Sequence, residues 1–206
     1  NMRLVFEYPD IAGLCSALEE SSISHLPMIT AQSKKEPIPA SLSQQRLWFL
    51  QQLNPSSTAY NMPIALSLAR TIKPARLEQA LRNLIMRHES LHTTMQDYEG
   101  NAFLQFNAAN EWQLPVLDFS QLDESQAMLR ATEQIQLLSQ TVFDLQQGPL
   151  LHALLIQISN KKQVLAFCLH HIIVDGWSVN ILLQELSALL QDTPAELPAL
   201  ALQYSD

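Results

Sequence analysis

Gln163-Val164-Leu165-Ala166-Phe167-Cys168-Leu169-His170-His171-Ile172-Ile173-Val174-Asp175-Gly176-Trp177-Ser178 is the most informative run in this chain. Its first seven residues have the length and apolar, partly β-branched composition of a buried strand. Beyond the acid and the glycine, Val179, Leu182, Leu183, Leu186, Leu189 and Leu190 recur at helical spacing. Two adjacent histidines therefore stand where a strand ends, and Asp175-Gly176 occupy the turn into a helix. A strand end holds its side chains rigidly while its edge opens to solvent, which is a suitable place for chemistry.

On the N-terminal side, Leu150 to Ile158 reads as a second strand, and Ser159-Asn160-Lys161-Lys162 joins the two as an antiparallel hairpin. Helices are expected from Ser41, with Leu42, Phe49, Leu50 and Leu53 on one face, and over Leu77 to Glu89, with Leu77, Ala80, Leu81, Leu84, Ile85 and His88 in one stripe. A further helix runs from about Glu124 to Gln140, with Met128, Ala131, Ile135 and Leu138 inward; Met62 to Leu68 and Phe103 to Phe106 read as strands. No strict βαβ repeat is present, so the pattern points to an α/β fold with a mixed, mostly antiparallel sheet flanked by helices. Residues 38–206 form this domain, and residues 21–37, rich in Ser, Pro and Lys, read as a linker. Residues 1–20 form a separate unit in which Asp10 caps a helix bearing Ile11, Leu14, Cys15 and Leu18. Such a helix cannot be stable alone and needs a partner.

The net charge of -8, with no basic run or basic helix and only isolated pairs at Lys34-Lys35 and Lys161-Lys162, argues against a nucleic-acid surface. Cys15, on an apolar helix face, and Cys168, inside a strand, read as buried free thiols. No apolar run reaches the length of a membrane span, and the N-terminus lacks the regions of a signal peptide. A cytoplasmic protein with no membrane partner is the expectation.

The His171/Asp175 arrangement admits three functional readings. One is acyl transfer, with a histidine beside the reacting nucleophile and the acid as an orienting or structural group. A metal site is disfavoured, because neighbouring residues of a strand point to opposite faces, so His170 and His171 cannot both ligate one metal while the strand persists. A triad through Ser178 lacks the Gly-x-Ser-x-Gly elbow. The alternative to all three is two histidines merely packed at a strand end. Arg87-His88-Glu89 closes the amphipathic helix, where a cation favours the helix C-terminus or reaches inward to an acid.

Taken together, four segments resemble the condensation domains of nonribosomal peptide synthetases. Ser43-Gln44-Gln45-Arg46-Leu47-Trp48-Phe49-Leu50 is similar to the motif S-x-A-Q-x-R-L-W-x-L, with Gln44 in the place of its alanine. Arg87-His88-Glu89-Ser90-Leu91-His92-Thr93 resembles R-H-E-x-L-R-T, with His92 where that motif has Arg. His170 to Gly176 matches H-H-x-x-x-D-G with its W-S extension, and Tyr204-Ser205-Asp206 resembles the start of Y-x-D-Y, at which the chain looks cut. Residues 2–19 resemble the last helix of a peptidyl carrier domain.

The resemblance implies a chloramphenicol acetyltransferase-like N-terminal lobe, with a C-terminal lobe needed to complete a tunnel. It implies a peptide-bond-forming reaction with no cofactor bound by this chain itself: a donor acyl or peptidyl thioester on one 4'-phosphopantetheine arm is attacked by the amine of an aminoacyl thioester on another. Upstream and downstream carrier domains and an adenylation domain are the implied partners. His171 is the implied catalytic residue, with His170, Asp175 and Arg87 in support and Gly176, Trp177 and Ser178 along the substrate channel. An α-ammonium titrates at about 7.7–8 and an ordinary imidazole at about 6.5, so an imidazole is suited to take a proton as the amine attacks. Asp175 is expected to bridge to Arg87, and Gly176 to leave room for the arm. The L-donor elongation type is the first expectation; an epimerisation or ester-forming member, or a non-catalytic carrier-docking platform, are the alternatives.

Overall fold

A computed structural model of the chain describes residues 3–20, 28–34, 37–108, 112–192 and 196–206. It divides into two compact units, Asn1–Thr30 and Ala31–Asp206. In the first, α1 (Arg3–Glu7) precedes α2 (Ile11–Glu20), and the Asp10 carboxylate accepts the Gly13 N–H at 2.7 Å, as an N-cap does. Within this unit Ile11, Cys15 and Leu18 are exposed, so the reading of Cys15 as a buried thiol is corrected. Two short helices offer too little surface to bury that face. Of the expected 21–37 linker, only residues 28–34 and 37 are among those described.

The second unit is built on the expected hairpin, β6 (Leu151–Ser159) and β7 (Lys162–His170), paired antiparallel from Leu151↔Leu169 to Ser159↔Lys162. The strand β2 (Asn61–Ser67) adds antiparallel to β7, and β5 (Val116–Asp118) adds parallel to β6, giving the order β2-β7-β6-β5. A second sheet has the order β1-β4-β3 from β1 (Ile38–Pro39), β3 (Thr93–Tyr98) and β4 (Asn101–Phe106). Of its members the sequence pattern shows only β4, as the expected strand at Phe103–Phe106; β1 is too short and β3 too polar at its end to show an alternating signal.

β7 is buried at eight consecutive residues because helices cover both faces of its sheet, which is why it reads as an unbroken apolar run. Leu154, Ile156 and Val164 pack with Ala127 and Ala131 of α5 (Glu124–Ser139). The alternate positions Leu155, Leu165, Phe167 and Leu169 belong to the core shared with α4 (Pro74–Arg87) and α6 (Gly176–Leu189). The inward face of α5 is therefore centred on Ala127 rather than on Met128. Among the described residues, no helix is long and apolar enough to cross a membrane.

The helix α3 (Leu42–Leu53) departs most from its expected orientation. Leu42, Phe49 and Leu53 are 86%, 57% and 68% exposed, whereas Gln44, Trp48 and Gln51 are buried. The buried residues also recur at helical spacing, but two of them are amides. Their burial is offset by hydrogen bonds to backbone carbonyls: the Gln44 amide donates to Ile172 O at 3.1 Å and that of Gln51 to Pro55 O at 2.9 Å.

Candidate active site

The strand β7 ends at His170, where the ladder gives way to a turn. His170 N–H donates to Leu150 O and His171 N–H to Tyr60 O, at 3.0 and 2.9 Å, so both backbones are fixed while the chain changes direction. The two rings then separate. His170 is 1% exposed, with Phe143 and Tyr60 around it at ring-centroid distances of 5.9 and 6.4 Å. Its Nδ1 accepts the Ile172 N–H at 3.2 Å, which tightens the turn that carries His171 and assigns the ring hydrogen to Nε2. Burial lowers its pKa from 6.5 to about 4, with a smaller contribution from His171. His171 is exposed on the wall of a pocket of about 720 Å³.

Asp175 does not pair with Arg87. It lies on the surface as the N-cap of α6, its Oδ1 accepting the Ser178 N–H at 2.8 Å and the Ser178 hydroxyl at 2.6 Å. These bonds hold its carboxyl below the usual carboxylate range, and His171 adds to the effect. The expected bridge fails because the short Asp175 side chain is already satisfied by its own helix terminus, where a carboxylate also suits the helix dipole. Asp175→Ala is accordingly expected to cost about 1 kcal/mol, as loss of an N-cap does. Breaking a buried ion pair would instead cost about 3–5 kcal/mol. Urea unfolding of the two proteins separates these outcomes. Gly176 has open space where a Cβ would stand, and Trp177 is 79% exposed; of the three positions expected along a channel, Ser178 alone lines the pocket.

Arg87, the last residue of α4, reaches Glu185 of α6, with Nε at 3.2 and 3.1 Å from its two carboxylate oxygens. The imidazole Nε2 of His88 lies 2.6 Å from the same carboxylate. All three side chains are mostly buried. Glu185 escaped sequence reading because it sits among leucines on α6, about three turns beyond the histidine motif. After His88 a 3₁₀ turn (Glu89–His92) leads into β3. His92 donates from Nδ1 to Asn107 O at 2.8 Å, a contact that needs no permanent cation at that position.

The segment after α6 returns to this region. Gln203 donates to Arg87 O at 3.0 Å and accepts the Glu89 N–H at 3.2 Å; Ser205 donates to the Glu89 carboxylate, which also pairs with Lys34. The hydroxyls of Tyr204 and Ser41 are 3.1 Å apart. Leu200, Leu202, Gln203 and Tyr204 thereby line the pocket together with Ser178, Leu182 and Glu185 of α6. Ser41 is also the N-cap of α3, in a capping box with Gln44. Counted back from Arg46-Leu47-Trp48, the serine of the resembled motif falls at this same Ser41 and its glutamine at Gln44, so Ser43, not Gln44, stands at the alanine position.

The buried histidine thus shapes the turn, the exposed one faces the pocket, and the helix carrying the first motif holds the same turn through Gln44. The condensation-domain profile matches residues 34–206, and the chain belongs to the condensation domains of nonribosomal peptide synthetases. Over its full length it is 38% identical to a linear gramicidin synthase of Brevibacillus parabrevis and 35% identical to the nonribosomal peptide synthetase kk1B of Curvularia clavata, of which it spans 4% and 2%. The solved starter condensation domain of rhizomide synthetase RzmA superimposes with a TM-score of 0.70 at 26% identity, over 82% of this chain and 43% of that one. The first condensation domain of the calcium-dependent antibiotic synthetase shares the fold, with a TM-score of 0.71 at 22% identity, over 81% of this chain and 40% of its own. The fold is thus the chloramphenicol acetyltransferase-like α/β fold of condensation domains.

Proposed function

We propose that this chain is the histidine-bearing lobe of an amide-forming condensation domain of the elongation type, accepting an L-configured donor. The observation that carries this reading is His171, exposed on the pocket wall while its backbone is held by Tyr60. In the proposed reaction the amine of an aminoacyl thioester attacks the carbonyl of a donor thioester. The C–N bond forms, the C–S bond breaks, and the thiolate leaves on the donor's 4'-phosphopantetheine arm. His171 takes the proton released by the amine, and that proton then passes to solvent or to the departing sulfur. His170 sets the turn beneath it, Gln44 holds the Ile172 carbonyl in the same turn, and Asp175 starts the helix that lines the pocket.

The partners in this reading are an upstream donor carrier, a downstream acceptor carrier and an adenylation domain, all in the cytoplasm. Residues 1–20 are assigned to the end of the upstream carrier, the rest of which would cover the exposed face of α2. A second lobe closes the pocket against water. The test compares this chain with a two-lobed protein containing it, each given loaded donor and acceptor carriers. The two-lobed protein is expected to form the peptidyl thioester, faster with an L- than a D-configured donor, and this chain alone to form none. Product from the single lobe would overturn the need for a second one; no product from the two-lobed protein with either donor would sink the condensation reading.

A further inference from the structure

The pocket holds a second imidazole. His88 lines it together with Glu185, and the two are joined by the 2.6 Å contact between His88 Nε2 and the Glu185 carboxylate. A carboxylate oxygen only accepts, so Nε2 carries a hydrogen in either protonation state of the ring. Arg87 already matches the charge of Glu185 and restrains its rotation through both oxygens. A neutral His88 is therefore held as the Nε2–H tautomer, and Nδ1, which has no partner among the described residues, remains as a hydrogen-bond acceptor. This is the arrangement of an imidazole oriented by a carboxylate, with an arginine orienting the carboxylate in turn.

Its place in the pocket indicates what it would bind. Asp175, Ser178, Leu182 and Glu185 follow one face of α6, so the wall they form extends for about ten residues of helix, or roughly 15 Å. His171 stands at the Asp175 end and His88 at the Glu185 end. A ligand that reached both would be long and chain-like, with its reactive group near His171 and an N–H donor well removed from it. A pantetheine thioester has this form, because amide groups interrupt its chain at a distance from the sulfur.

We propose that His88 is a positioning residue whose Nδ1 accepts an amide N–H of a pantetheine arm, with Glu185 and Arg87 setting the ring. The proposal rests on the reading of this pocket as a carrier-arm site. Long-range ¹H–¹⁵N spectra of the imidazoles of this chain, recorded during titration with pantetheine, provide the test. The expected result is His88 in the Nε2–H tautomer, with a saturable shift of Nδ1 that accompanies a shift at His171. Glu185→Ala should release the tautomer, and His88→Leu should weaken pantetheine binding about threefold to tenfold, the worth of one neutral hydrogen bond. Circular dichroism establishes that each variant is folded, and His88→Gln, which retains an acceptor, should restore part of the affinity. An Nδ1–H tautomer, or shifts at His171 without any at His88, would overturn the proposal and leave the condensation reading intact. Shifts at neither ring would overturn both for this lobe.

Discussion

His171→Ala is expected to lower peptidyl thioester formation by about 10²–10⁴-fold in a two-lobed protein containing this lobe, the usual range for loss of a general base. The side chain is exposed, and the turn is held by the His171 backbone on Tyr60, by His170 Nδ1 and by Gln44, none of which the substitution removes. The thermal midpoint of the variant should therefore stay close to that of the wild type. The loss is expected in kcat rather than in KM for the acceptor carrier, because proton transfer belongs to the transition state. A loss below about tenfold would mean that His171 only positions the amine. A large fall in thermal midpoint would mean that the activity loss reports unfolding.

His170 leads to a pH dependence of stability that no exposed histidine would give. The ring titrates near 6.5 when unfolded and at about 4 when folded, because protonation would bury a charge and put a hydrogen on Nδ1, where the Ile172 N–H already points. Between these values the unfolded chain binds a proton that the folded chain refuses, so stability falls as the pH drops. The contribution is complete above about pH 6.5, is lost progressively towards pH 4, and amounts to about 3 kcal/mol. His152, whose pKa burial also lowers, acts in the same direction. Urea midpoints at pH 7, 5.5 and 4.5 should fall steeply for the wild type and much less for His170→Asn, whose amide oxygen can accept the Ile172 N–H. Parallel slopes in the two proteins would show that His170 is not the group responsible.

The hairpin, the helix after it and the junction at the two histidines were legible because a strand buried on both faces and a leucine-striped helix leave unmistakable patterns. The family was legible in four short motifs. The partners inside the site were not. Periodicity put the leucines and phenylalanine of α3 inward, yet its inward residues include two glutamines whose side-chain N–H groups donate to carbonyls that only the folded chain brings near. Likewise Arg87 and Asp175 stood out as the available charges of two motifs, while the actual partner of Arg87, Glu185, is 98 residues away and belongs to neither. Side-chain reach and competing local bonds decide such pairings. Asp175 was already occupied by Ser178, a residue three positions along the chain.

The wall formed by residues 200–206 also bears on the order in which the molecule is made. Tyr204 meets Ser41 across 163 residues, and Gln203 meets Arg87 across 116. On the ribosome, α3 and α4 emerge long before the segment that completes their pocket, and contacts of such separation carry a large loop-closure cost. The central hairpin, with its partners adjacent in sequence, can form early and supply the surface on which the rest assembles. The pocket is therefore among the last parts of the lobe to mature, and a chain truncated shortly after α6 would keep the central hairpin and its helices but lack the wall supplied by residues 200–206.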